Sequence, residues 1–248
     1  MHPYLAEIVG TMLLILLGDG VVANVVLSRT KGNSGGWIVI TAGWAMGVFI
    51  GVTCVGRYSG AHLNPAVTFA LALSGQVPWA DVPGYVAAQM IGGALGALLV
   101  FLHFYPHWRV TSDPDAKLAV FCTGPAIRFI PINFLCEVIG TFVLVLSVLY
   151  MSAPNRDTAF KAGLGALDAL PVALVVLAIG LSLGGTTGYA INPARDLAPR
   201  FMHAILPIHG KRDSDWSYAW VPVLGPLAGA ALAVGVYVLL GRSVTPLT

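Results

Sequence analysis

The chain has 248 residues, 57% of them hydrophobic and only 10% charged, with a formal net charge of +2 and a mean hydropathy of +0.81. A soluble domain carries about 25% charged residues, so this composition excludes an ordinary solvated globule and reads as a polytopic membrane protein. The small, scattered net charge gives no footing for nucleic acid. A membrane-crossing helix needs roughly 20 predominantly apolar residues. The first candidate, 4–27, is interrupted by Glu7 and Asp19. It lacks the basic region and small-residue cleavage site of a signal peptide, the first Lys or Arg being Arg29, and is taken as helix 1. Charge-free runs follow at 32–56, 82–102, 138–155, 169–194 and 216–241, making six spanning candidates.

One further charge-free run, 58–80, is the wrong kind of membrane segment. It carries His62, Asn64 and Pro65 near its middle, where a lipid-facing helix has no place for them. Asn-Pro-Ala occurs at Asn64-Pro65-Ala66 and again at Asn192-Pro193-Ala194. The repetition extends further. Ala6-Glu7-Ile8-Val9-Gly10-Thr11 matches Cys136-Glu137-Val138-Ile139-Gly140-Thr141, and the two matched blocks lie 130 and 128 residues from their copies. The halves, about 4–104 and 132–240, hold three spans each, within one channel domain over 1–248. An odd number of spans makes the second half enter from the opposite face, an inverted repeat that places functional sites at the midplane.

Asparagine is a good helix N-cap, and proline fits the first helical turn, where its missing N–H is not needed. Asn64 and Asn192 are therefore read as caps of short helices running from Pro65 to about Leu73 and from Pro193 to about His203. Each has the length of half a bilayer, about 15 Å by helix rise. The Gly-rich stretches before them, Ser59–Leu63 and Gly184–Ile191, are non-helical. Such backbone is tolerated at membrane depth only where it lines a cavity or is buried in protein. The expected fold class is all-α: six tilted transmembrane helices plus two re-entrant half-helices.

These residues resemble the aquaporin superfamily over nearly the whole chain, and within it the glycerol facilitators, or aquaglyceroporins. The resemblance implies half-helices meeting at their Asn-Pro-Ala ends, a homotetramer of pores, and a passive channel for glycerol, other small neutral solutes and water that excludes protons and ions. It implies backbone carbonyls of Gly60, Ala61, His62, Gly188, Tyr189 and Ala190 along the path. It makes Arg195 the filter arginine. Trp44, twenty residues before Asn64, and Gly180 and Tyr189, twelve and three before Asn192, complete the filter by the family's spacing. Glycine at 180 leaves a wider opening than the histidine of water-selective members, and Tyr189 departs from the more usual Phe. Asp196 with Arg200, and Pro222-Val223, also lean toward the glycerol facilitators. Glu7 and Glu137 are implied braces of the carbonyl-bearing loops. A channel chiefly for water, or for small neutral acids such as lactic acid, stays open as an alternative.

Asp19, in Gly18-Asp19-Gly20, is read as an interfacial or entrance group of helix 1. Glycines spaced by four, as at Gly43, Gly47 and Gly51, Gly92 and Gly96, or Gly225 and Gly229, let membrane helices approach closely. No cofactor, metal site or enzymatic activity is expected. Cys54, Cys122 and Cys136 lack metal spacing, and Pro106 breaks the helical register between His103 and His107. The resemblance puts both termini in the cytoplasm of a bacterial inner membrane. That leaves Arg29, Lys31, Arg109, Lys117, Arg128, Lys211 and Arg212 outside against Arg57, Arg156, Lys161 and Arg242 inside. This balance runs against the positive-inside tendency, and labelling access to the 152–167 loop distinguishes the two orientations.

Overall fold

The computed structural model describes residues 1–152 and 167–240. Arg156, Lys161 and Arg242, counted above on the inner side, lie outside the described residues. The chain order is α1 (Pro3–Val26), α2 (Trp37–Ser59), α3 (Pro65–Leu73), α4 (Val82–His103), α5 (Tyr105–Val110), α6 (Pro114–Phe121), α7 (Ile130–Ser152), α8 (Leu170–Ser182), α9 (Pro193–Ile205) and α10 (Val221–Leu239). Five of these, α1, α2, α4, α7 and α10, are long and apolar enough to cross a membrane. The sixth spanning candidate is α8, whose described part is shorter at 13 residues. Many helices open with proline in the first two positions, where its fixed φ suits the first turn.

The burial pattern is that of a protein in lipid. Leucine and isoleucine at Ile38, Ile91, Leu95, Leu102, Leu174, Leu181, Leu224 and Leu232 stand exposed on the spanning helices. Glu7, Asp19, Gln89, Glu137 and Asp196 are buried inside. In hydrocarbon an ionisable side chain is expensive unless it faces the bundle interior and finds a partner.

Helix contacts repeat between the halves. Helix α1 packs against α2 and α4, and α7 packs against α8 and α10. Glycine makes two of these contacts possible in the same way. A methyl on Gly92 of α4 would collide with the Ile8 carbonyl and Thr11, and a methyl on Gly229 of α10 with the Val138 carbonyl and Thr141. Ile8 and Val138, like Thr11 and Thr141, are matched positions of the sequence repeat. The short helices cross over: α9 lies against α4, α3 lies against α10, and the two touch each other. Helices α5 and α6 occupy the connection between the halves.

Candidate functional site

The two Asn-Pro-Ala segments form the centre of the site. Asn64 and Asn192 have extended backbones, φ −159° and −155°, and their side-chain oxygens cap the helices they precede. Asn64 Oδ1 accepts from the Ala66 N–H at 2.8 Å. Asn192 Oδ1 accepts from Ala194 at 3.0 Å and Arg195 at 3.2 Å. Helix α3 ends at Leu73, and α9 continues two residues past His203 to Ile205.

The side-chain nitrogens tie the halves together. Asn64 Nδ2 donates to the Ile191 carbonyl at 2.8 Å, and Asn192 Nδ2 donates to the Leu63 carbonyl at 2.7 Å. Each nitrogen carries two hydrogens, so one N–H of each asparagine is used in this reciprocal link and one is left. The N-termini of α3 and α9, each equivalent to about half a positive charge, point at the same place.

The segments leading into the short helices share an unusual backbone. Gly60, Ala61 and Leu63 have φ of 80°, 49° and 51°, and Gly188, Tyr189 and Ile191 have 83°, 38° and 45°. Left-handed non-glycine residues cost of order 1–3 kcal/mol each and persist where the surroundings over-determine them. Here the glutamates do so. Glu7 accepts from the Ser59 hydroxyl at 2.6 Å, the His62 N–H at 3.0 Å and the Leu63 N–H at 2.7 Å. Glu137 accepts from the Thr187 hydroxyl at 2.7 Å, the Ala190 N–H at 3.1 Å and the Ile191 N–H at 2.9 Å. Gln89 donates to both Glu7 and Thr68. The amides are thus consumed on one side of each segment. Among the described residues no donor reaches the carbonyls of Gly60, Ala61, His62, Gly188, Tyr189 or Ala190. The His62 ring stacks on Tyr85 with centroids 4.4 Å apart.

Beyond the second motif the predicted filter residues come together, all buried. The Arg195 guanidinium carbon lies 3.8 Å from the centroid of the Trp44 ring, a cation–π arrangement. Trp44 in turn lies on Gly18 of α1, where a methyl would collide with the indole. Gly180 is closely approached: a methyl on it would stand 2.8 Å from Thr41 Cγ2 and 3.0 Å from Tyr189 Cζ. The opening expected from this glycine is therefore occupied by the Tyr189 ring. Trp37 holds that corner, donating from Nε1 to the Gly180 carbonyl at 2.8 Å and meeting Tyr189 edge-on at 5.8 Å. Two polar atoms here, Trp44 Nε1 and Tyr189 Oη, are buried without a hydrogen-bond partner among the described residues.

Asp19 is fully buried inside the protein, and its Oδ1 lies 3.4 Å from Arg195 Nη1. Next to Arg195 in the chain, Asp196 fastens the surrounding loops. It accepts from the Thr123 N–H at 2.7 Å and hydroxyl at 2.6 Å, and pairs with Arg200 at 2.7 Å. Arg200 also donates to the carbonyls of Ser214 at 2.7 Å and Thr123 at 2.9 Å. Trp37, Thr41, Thr123 and Asp19 were not assigned to the site from sequence. Trp37, Thr41 and Thr123 carry no motif, and the acid of Asp19 was the one available signal.

The geometry has relatives. The X-ray structure of the aquaglyceroporin from Plasmodium falciparum superposes with a TM-score of 0.82 at 30% identity, covering 95% of this chain and 94% of its own. A probable glycerol uptake facilitator protein of Thermotoga maritima is 59% identical over 237 residues, 96% of this chain and 98% of the relative. The glycerol uptake facilitator protein of Bacillus subtilis is 54% identical over 231 residues, 93% of this chain and 82% of the relative. Residues 1–237 match the family described as Major intrinsic protein. The chain belongs to that family, an integral membrane protein with the aquaporin fold of six spanning helices and two half-helices.

Proposed function

We propose that the protein is a passive channel for glycerol and other small neutral solutes, water included, that holds back protons and ions. One observation carries the reading. Two backbone segments have their amides tied to buried glutamates and their carbonyls left without protein donors, and they lead to a filter with aromatic rings beside a guanidinium. A linear polyol matches this arrangement. Its hydroxyls donate to the carbonyls of Gly60, Ala61, His62, Gly188, Tyr189 and Ala190 and accept from Arg195. Its carbon chain rests against Trp44 and Tyr189, with Gly180 giving the tyrosine room. Relatives named as glycerol uptake facilitators, at 59% and 54% identity, support the same solute.

Where the half-helices meet, the free N–H of Asn64 and of Asn192 donates to the passing oxygen. An oxygen that accepts from both sides is oriented against relaying a proton, and two positive helix ends repel cations. Pro65, Ala66, Pro193 and Ala194 shape these ends. Glu7, Glu137 and Asp196 support the loops and touch no solute. We assign the protein to the bacterial inner membrane as a homotetramer, one pore per chain, with both termini cytoplasmic.

Stopped-flow light scattering on proteoliposomes tests the reading. Glycerol re-swelling is expected to be fast and not saturable at low concentration, while an impermeant osmolyte causes shrinkage alone. Accelerated water flux with glycerol flux at the rate of protein-free vesicles would refute the solute assignment.

A further inference from the structure

Asp19 differs from the other buried acids of the channel in what it is bonded to. Both oxygens of Glu7 and of Glu137 accept from loop amides or hydroxyls, and both of Asp196 from Thr123 or Arg200. The Asp19 carboxylate is fully buried, and its one polar contact among the described residues is Arg195, 3.4 Å away. Its second oxygen has no partner among them. It braces no loop and caps no helix. Its neighbour Gly18 is the seat of the Trp44 indole, and the Arg195 guanidinium lies 3.8 Å from the centroid of that indole. The pair Gly18-Asp19 of α1 therefore touches both polar and apolar walls of the filter from behind.

We propose that Asp19 is a positioning residue that sets the channel's preference for a polyol over water, by holding the Arg195 guanidinium against Trp44 as its buried counter-charge. The proposal rests on the polyol-channel reading above. The carboxylate draws one Nη of the guanidinium toward α1 and leaves its remaining donors for solute hydroxyls. The carboxylate also offsets the charge of an arginine that would otherwise stand uncompensated at membrane depth. Glycerol needs the guanidinium and the aromatic wall at once, in fixed relation. Water is small and needs only one donor or acceptor at a time. Loosening Arg195 thus costs glycerol passage more than water passage.

The test compares wild type, Asp19→Asn, which keeps the shape, and Asp19→Glu, which keeps the charge, in proteoliposomes. Water and glycerol permeabilities are measured on the same vesicles. The glycerol-to-water ratio is expected to fall roughly threefold or more in Asp19→Asn, the scale of one ordinary hydrogen bond, and to stay closer to wild type in Asp19→Glu. An unchanged ratio in Asp19→Asn, or a parallel loss of both fluxes as a merely structural role would give, overturns the proposal. Wild-type vesicles that pass no glycerol would instead refute the underlying channel reading. If Asp19→Asn does not fold, the same substitution is made together with Arg195→Ala. Recovery of folded protein when both charges are gone supports the pairing, and failure of the double variant to fold contradicts it.

Discussion

At position 180 the space of a missing side chain is taken by two neighbours. A Cβ there would press on Thr41 at 2.8 Å and on Tyr189 at 3.0 Å. Thr41 belongs to α2 and is buried among the spans, so the tyrosine ring is the group that gives way. Gly180→Ala is expected to lower glycerol permeability more than water permeability and to lower thermal stability by about 1–3 kcal/mol, the usual cost of overpacking. Permeability and melting of the purified variant check this; an unshifted melting point with wild-type glycerol flux would show that the contact is not limiting. The residue scale also shows what could be read in advance. Asn64 and Asn192 were legible because a cap acts on amides two or three residues away. Arg195 was legible because a lone charge in an apolar run demands an explanation. The partner of Asp19 was not legible, because it is 176 positions distant. Nor was the crowding around Gly180, since the side chains that fill its space, Thr41 and Tyr189, come from α2 and from the loop after α8.

At the scale of elements, the half-helices depend on segments that have no regular structure of their own. Their left-handed residues are held by two carboxylates, each receiving two loop amides and a hydroxyl. Hydrogen bonds to a charged acceptor contribute about 1.5–3 kcal/mol each. Glu137→Gln keeps one acceptor oxygen and loses the charge, so a loss of about 3 kcal/mol is expected for it. Removing the single Thr187 hydroxyl in Thr187→Ala should cost about 1.5 kcal/mol, one such bond. Melting of the two variants in one detergent orders these costs; equal midpoints would mean that the loop amides do not depend on the carboxylate. The half-helices themselves could be bounded from sequence because proline and asparagine act locally. The end of α9 could not, because its last carbonyls, His203, Ala204 and Leu206, are capped by Lys211 from beyond the helix. Helices α5 and α6 carry too few residues for any periodicity to show.

The whole molecule is two similar halves that depend on one another. Neither half-helix is long enough to cross a bilayer, and each asparagine donates to a carbonyl of the opposite half. The repeat was legible because the matched blocks keep their separation. The difference between the halves was legible only in part. Val67 follows the first motif and Arg195 the second, so the filter arginine of the proposed function belongs to one half. Yet Trp44 and Asp19, which hold Arg195, come from the other. In the proposed function the midplane barrier is shared in the same way, two asparagines and two helix ends converging on one passing oxygen. That a single path admits a polyol and refuses a proton is the central claim. The measurement that tests it most directly is glycerol re-swelling and internal pH followed together in proteoliposomes loaded with a pH-sensitive dye and given a pH gradient. The account predicts glycerol flux far above that of protein-free vesicles, with the pH gradient decaying no faster than in their absence of channel. A gradient that collapses as channel is added, or glycerol flux at the protein-free rate, would contradict it.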